Sequence, residues 1–423
     1  MTENAIDTRD SNISDGQIID GIPFAWKNYI PALLIAGLGF LVDVYDVLLF
    51  AILRVPSLLD LGVPAEKTLE VGVQLLNAQM VGLLLGGVIW GVIGDKKGRR
   101  AALVGSILCY SLASIANSFV DSVPMYGVLR FVTGFGLAGE VGAAMTIAAE
   151  ITPARYRTFG TAAVSLMGVL GSLLASYAGG TWKWRTAFFV AGAAGLVLLL
   201  IRISMKETAL FEKVKSEGIT EKHNPLAFLR SPAKILKICR CVLIALPLFY
   251  VFNVLITFAP EINHVSGDTA VMVARIAAFY SIGEAIGEAV CGFMSQIMRS
   301  RKKVIFFFQI CAALLTVWTI RSDVQTYTWL CLPLGFFVGY WAVAITTTAE
   351  QFGTNVRSTV TTLVPNLMRA CSIPANLAFA AISQVSTTSN AVIVLGVLSY
   401  VLAFICLFSM EETFAKDLDF VEG

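Results

Sequence analysis

Long apolar runs separated by short polar breaks recur along the whole chain, at about 27–52, 73–94, 101–120, 124–147, 159–180, 186–205, 239–262, 270–297, 303–321, 326–349, 358–384 and 389–410. A helix that crosses a bilayer needs roughly 20 mainly apolar residues, because each residue advances about 1.5 Å through a hydrocarbon layer roughly 30 Å thick. The pattern therefore predicts an all-α polytopic membrane protein with twelve transmembrane helices.

The polar breaks carry the topology. If the N-terminus is cytoplasmic, alternation places Lys96, Lys97, Arg99, Arg100, Arg155, Arg157, Arg299, Arg301, Lys302, Lys303 and Arg357 inside, together with the basic residues of 206–240. Arg54, Lys67, Lys183, Arg185 and Arg321 are then assigned to the outer loops. Excess Lys and Arg on the cytoplasmic side favours this orientation, with both termini inside and the inner membrane as location. One connection, 206–238, is much longer than the rest and divides the chain near its middle. The expected organisation is a cytoplasmic tail at 1–26, a six-helix bundle at 27–205, a cytoplasmic loop at 206–238, a second six-helix bundle at 239–410 and a tail at 411–423.

Composition agrees with a membrane solvent. Of 423 residues 57% are hydrophobic and 14% charged, and mean hydropathy is +0.75, a balance foreign to water-soluble domains. The net charge of +2 gives no reason to expect nucleic acid, since the basic residues sit in clusters between apolar runs. The eight cysteines lie mostly within those runs without metal-ligand spacing, and His223 and His264 are the only histidines. No metal or cofactor is expected. The absence of a nucleotide-binding G-x-x-x-x-G-K-[ST], and of any evident nucleophile constellation, argues against an ATPase or other enzyme.

The two halves echo each other. Glu150 and Arg157 recur as Glu350 and Arg357, both at an offset of 200 (350 − 150 and 357 − 157). Glu207 and Thr208 after the sixth run recur as Glu412 and Thr413 after the twelfth, and Gly91 to Arg100 is faintly repeated in Gly292 to Lys303. Fixed points at one offset mark an internal repeat.

The segment after the second run, with Gly91, Gly94, Asp95, Lys96, Lys97, Gly98, Arg99 and Arg100, resembles the G-x-L-a-D-r-x-G-R-K signature of the major facilitator superfamily. Arg130, Gly134, Gly136, Gly139 and Glu140 in the fourth run are similar to the R-x-x-x-G-x-G-x-G stretch of its sugar, phosphate and organic-ion porters. Glu150 to Arg157 resembles the loop that follows, with Ala149 for its first proline and Thr158 for its glycine, and Trp184, Arg185 and Phe188 resemble W-R-x-x-F. The resemblance implies two six-helix bundles, alternating access around a central cavity, and a monomer. It also gives Gly91, Asp95, Gly98, Arg99, Glu150, Arg157, Glu350 and Arg357 a gating role.

The first run holds Asp43 and Asp46. A charge at membrane depth costs about 2.5–3.5 kcal/mol on insertion scales and normally faces a partner or a wet cavity. Spacing i, i+3 puts both carboxylates on one helix face, and the local pattern resembles the D-x-x-D of proton symporters. Asp46 pairing with Arg130, with Asp43 and Glu140 on the same route, makes a candidate proton-coupling set; static pairs that lock helix packing are the alternative. In the second half Glu284 and Glu288 share a face of the eighth run and Arg369 lies in the eleventh. Arg369 either pairs with Glu284 or binds an anionic substrate. Tyr250, Asn253 and Trp341 complete the candidate substrate-binding set. The expected function is proton-coupled symport of a small polar metabolite such as an organic acid, with the substrate, protons and the lipid bilayer as partners; export by proton antiport is the alternative.

Overall fold

The computed structural model describes residues 18–19, 22–23, 26–151, 157–203, 231–265, 267–352 and 354–414. Six helices make the first half: α1 Trp26–Asp60, α2 Thr68–Lys97, α3 Arg99–Asn117, α4 Val123–Ile151, α5 Arg157–Thr181 and α6 Trp184–Ile203. Six more make the second. α7 is assembled from Pro232–Ile244, Leu246–Tyr250, a π-helical stretch Val251–Ile256 and Ala259–Ile262. α8 is Thr269–Ile297 and α9 Arg301–Ile320. α10 joins Val324–Val338 to Trp341–Gln351, α11 joins Thr354–Ala370 to Ser372–Val385, and α12 is Thr388–Ser409. Ahead of α1, Ile18–Ile19 pairs antiparallel with Ile22–Pro23.

The twelve apolar runs thus become twelve helical spans, with two informative differences. α1 continues past position 52 to Asp60, so Arg54, assigned from sequence to an outer loop, lies inside the helix and is wholly buried. α7 starts at Pro232, ahead of its apolar run, and bends by 46° after Ile244. Pro247, lacking a backbone N–H, sits in the first turn of the segment that resumes there.

Among the described residues eight helices are long and apolar enough to cross a membrane, or nine with α7 counted as one span. Asp43 and Asp46 lie in α1, Arg130 and Glu140 in α4, and Arg369 in α11.

Within the first half α2 packs on α4, α1 on α5, and α3 on both α4 and α6; in the second, α8 packs on α10, and α9 on α10 and α12. The halves meet where α5 and α1 touch α8 and where α2 touches α11. The α2–α4 and α8–α10 crossings are the same device used twice. A β-carbon on Gly82 or Gly134 would strike the backbone of the facing helix at Phe131 or Gln79, and one on Gly283 or Gly335 would do so at Leu332 or Tyr280. Gly82, Gly86 and Gly134 correspond to Gly283, Gly287 and Gly335 at a constant separation of 201 (283 − 82, 287 − 86 and 335 − 134). In lipid, where apolar side chains gain little by leaving solvent, such backbone-close contacts hold helices together.

Candidate functional site

A central cavity of about 140 Å³ opens between the halves, walled by α1, α2 and α5 from the first and α7, α8, α10 and α11 from the second. A cavity of roughly 150 Å³ holds a benzene ring, so one small ring fits. Asp43, Asn253, Glu284, Glu288, Trp341 and Arg369 all line it, among apolar side chains and Ser165, Ser172 and Ser281. Of the candidate substrate-binding residues read from the sequence, Tyr250 alone does not. Its hydroxyl donates to the Val392 carbonyl at 2.7 Å and ties α7 to α12.

Asp43 is held by Arg369 through two parallel bonds, Nη1 to Oδ1 at 3.3 Å and Nη2 to Oδ2 at 2.8 Å. The geometry is the bidentate fork that suits a guanidinium and a carboxylate. The pair spans 326 positions of sequence and joins the two halves. The sequence offered Glu284 as the partner of Arg369; the structure gives that place to Asp43, and Glu284 accepts from the Tyr280 hydroxyl at 3.3 Å.

Asp46, one turn further along α1, meets Arg130 of α4 as the sequence suggested. Nη1 lies 3.4 Å from Oδ2, and Gln79 of α2 donates to the same oxygen at 3.3 Å. Arg130 also reaches the Thr133 hydroxyl at 3.5 Å, and its guanidinium stands 4.7 Å from the Phe188 ring centre, 5.3 Å from Phe50 and 5.7 Å from Tyr126. Neither residue lines the cavity. The other Asp46 oxygen and the Arg130 Nε are buried without a hydrogen-bond partner, so the site is tightly enclosed yet incompletely satisfied, which is costly.

Glu140 lies elsewhere. It forms an ion pair with Arg202 of α6 and accepts from the Ser106 hydroxyl of α3 at 2.9 Å, away from the cavity. Gly39 of α1 packs against this pair, where a β-carbon would collide with both side chains. The cluster links α4, α3, α6 and α1.

A second link between the halves lies near the ends of α1 and α7. Arg54 Nη2 pairs with Glu261 at 2.6 Å and donates to the Thr257 carbonyl at 3.2 Å, while Nη1 donates to the Thr68 carbonyl at 3.0 Å. Its guanidinium stands 4.4 Å from the Phe258 ring centre. Close by, Trp184 Nε1 donates to Asp60 at 3.1 Å, and Arg185 donates to the Ser118 and Val120 carbonyls at 3.1 and 2.9 Å, so this motif clamps α6 to the ends of α1 and α3.

At the other face, Gly98 joins α2 to α3 with a φ of +99° that favours glycine, and Gly91 lies within α2. The side chains of Asp95, Arg99, Glu150, Arg157 and Arg357 lie outside the described residues. The second-half copy is visible. Arg301 pairs with Glu350 at 3.1 Å, and the Thr413 hydroxyl donates to Glu350 at 2.7 Å. Glu412 accepts from the Ser300 hydroxyl and from the Arg301 backbone N–H, the latter at 2.9 Å. Burial works to raise its pKa, but these bonds prevail and hold its carboxyl below the ordinary glutamate range.

The family model of the Major Facilitator Superfamily matches residues 37–372. The chain belongs to that superfamily. A probable 4-methylmuconolactone transporter of Cupriavidus pinatubonensis is 24% identical over 389 residues, 89% of each chain. The 3-(3-hydroxy-phenyl)propionate transporter of Escherichia coli is 28% identical over 259 residues, 59% of this chain and 62% of that one. Among solved structures, the partially occluded inward open form of the xylose transporter XylE from E. coli superposes with a TM-score of 0.69 at 17% identity, covering 92% of this chain and 100% of the other. This major facilitator protein is therefore a multi-pass membrane transporter with twelve helices in two related bundles, and not an enzyme.

Three arginines of this transporter, Arg54, Arg130 and Arg202, rank among its largest fully buried side chains. Of these, Arg54 was read from sequence as a loop residue and Arg202 was not singled out. Arg202 stands at the end of an apolar run, where an arginine ordinarily reads as a topology signal. Its partner Glu140, buried and unmatched within its own helix, was the available clue.

Proposed function

We propose that this transporter moves a small organic carboxylate, about the size of a single six-membered ring, in symport with protons by alternating access. The observation that carries the reading is the Asp43–Arg369 pair: a bidentate guanidinium on the wall of a cavity between the halves, occupied by a carboxylate of the protein itself. A substrate carboxylate presents the same two oxygens to the same fork. A proton arriving on Asp43 cancels its charge, loosens its hold on Arg369 and leaves the guanidinium to the incoming anion. Asp46, one turn away on α1 and paired with Arg130, is the neighbouring station of the proton route. The two relatives' names denote compact ring-bearing molecules, in keeping with the cavity volume.

The bundles at 27–205 and 239–410 serve as the two rocking units, monomeric in the inner membrane with both termini cytoplasmic, an orientation favoured by the distribution of Lys and Arg. Arg54 and Glu261 then seal the outer end and must part for substrate to enter, and the Arg301–Glu350–Glu412 cluster belongs to the cytoplasmic face.

The test is uptake by proteoliposomes of a panel of radiolabelled monocyclic carboxylates under an imposed pH gradient. Accumulation is expected with the interior alkaline and is expected to disappear with a protonophore. Accumulation indifferent to the protonophore removes the proton coupling. Failure of every carboxylate to bind or to enter removes the substrate class.

A further inference from the structure

With Asp43 and Arg369 joined, the cavity retains two carboxylates that no cation offsets. Glu284 and Glu288 stand one turn apart on α8 and both line it, and among the described residues neither makes an ion pair. Glu284 accepts from the Tyr280 hydroxyl at 3.3 Å. Facing the same space is Asn253, 1% exposed, whose Oδ1 has no hydrogen-bond partner. It sits in the π-helical stretch of α7, a local widening that recurs at functional positions. Trp341 and Phe249, edge to face with ring centres 5.6 Å apart, line the cavity too.

This wall offers hydrogen-bond acceptors, aromatic surface and two carboxyl groups that a cation would hold ionised. A ligand that is only an anion gives them no such partner. A hydroxyl supplies a single donor and no charge. A protonated nitrogen supplies several donors, compensates charge, and is attracted by aromatic rings.

We infer that the substrate is a zwitterion, whose protonated nitrogen is bound by Glu284, Glu288 and the Asn253 carbonyl while its carboxylate takes Arg369. The inference rests on the carboxylate reading proposed above and adds the chemistry of the substrate's other end.

Three matched probes separate the alternatives in binding measurements on the purified full chain: 4-(aminomethyl)benzoate, 4-(hydroxymethyl)benzoate and 4-methylbenzoate. The ammonium compound is expected to bind about 10-fold more tightly than either of the others, the gain of one charge-assisted contact. In Glu284→Gln, Glu288→Gln and the double variant the ammonium compound weakens while 4-methylbenzoate keeps its affinity, because it brings no cation for the glutamates to meet. A loss confined to the ammonium compound cannot come from a folding defect, and the ranking on the unaltered protein stands as a test by itself. Equal or better binding of the hydroxymethyl compound overturns the inference, as does an ammonium preference that survives in the double variant. If 4-methylbenzoate binds, and does so less well after Arg369→Ala, the carboxylate anchor stands whichever way the ranking falls. If none of the three binds, both readings fall.

Discussion

Asp43 and Asp46 lie three residues apart on one helix, each facing an arginine, yet the two pairs stand in different surroundings. Asp46 and Arg130 belong to the same half and are sealed among Phe50, Tyr126 and Phe188. When one bundle turns against the other as a rigid body, both partners travel together. Asp43 and Arg369 belong to different halves, and the Arg369 side chain is 14% exposed, on the cavity wall. The proposed motion of the bundles would act directly on this pair, which lines the cavity. The difference teaches that charge at membrane depth is not one signal: a pair inside a bundle is shielded from the other half, whereas a pair between bundles lies where the proposed motion and the proposed substrate would both meet it.

Arg369→Ala breaks the comparison most severely. It leaves Asp43 without its cation and removes the fork proposed to take the substrate carboxylate, so carboxylate affinity measured by titration is expected to fall by about 100-fold, the scale for truncating one partner of a buried charge pair. Arg369→Lys keeps the charge but loses the fork and is expected to recover only a part of that loss.

Asp46→Asn sharpens the comparison from the other side. Accumulation driven by a pH gradient is expected to drop by about 10-fold or more, the scale of removing a proton-transfer group, while substrate counterflow, which needs no net proton movement, falls far less. Equal losses in the two assays would mean that Asp46 and Asp43 do not divide the work.

Next comes the link at the end of α1. Losing about 1.4 kcal/mol from the closed form changes an equilibrium tenfold, and Arg54→Ala removes the contact to Glu261 and two backbone carbonyls. Spin labels introduced at Leu61 and Val265, in a background cleared of native cysteines, are expected to show a longer-distance population in this variant. An unchanged distance distribution would deny Arg54 a part in closure.

The smallest effect is expected at Glu412. Its pKa is lowered from the ordinary 4.5, so its contribution to stability is complete above that value and is lost as the pH falls through the lower folded value. Glu412→Gln is expected to lower the melting temperature slightly at neutral pH and to flatten its fall on acidification below 4.5.

Much of this arrangement is legible in the chain. Twelve helices follow from twelve apolar runs because the bilayer sets a minimum length, and the Asp46–Arg130 pair follows because buried charges must find partners. The limits are equally physical. Arg54 read as a loop residue because a charge ends an apolar run on paper, whereas in space Glu261 and three backbone or aromatic contacts let α1 continue through it. Glu284 was the reasonable partner for Arg369 within the second half, but helix faces are assigned by packing, and α11 turns its arginine to α1.

The sequence by itself determined the number of spans, the repeat, and which few polar side chains had to be accounted for at membrane depth, because those follow from local hydropathy and from spacing along a helix. Only the tertiary structure decided which charge meets which, and therefore that Asp43 and Arg369 join the halves while Asp46 and Arg130 stay within one. Ion pairing depends on distance and desolvation in three dimensions, and partners 326 positions apart leave no local trace of each other in the chain.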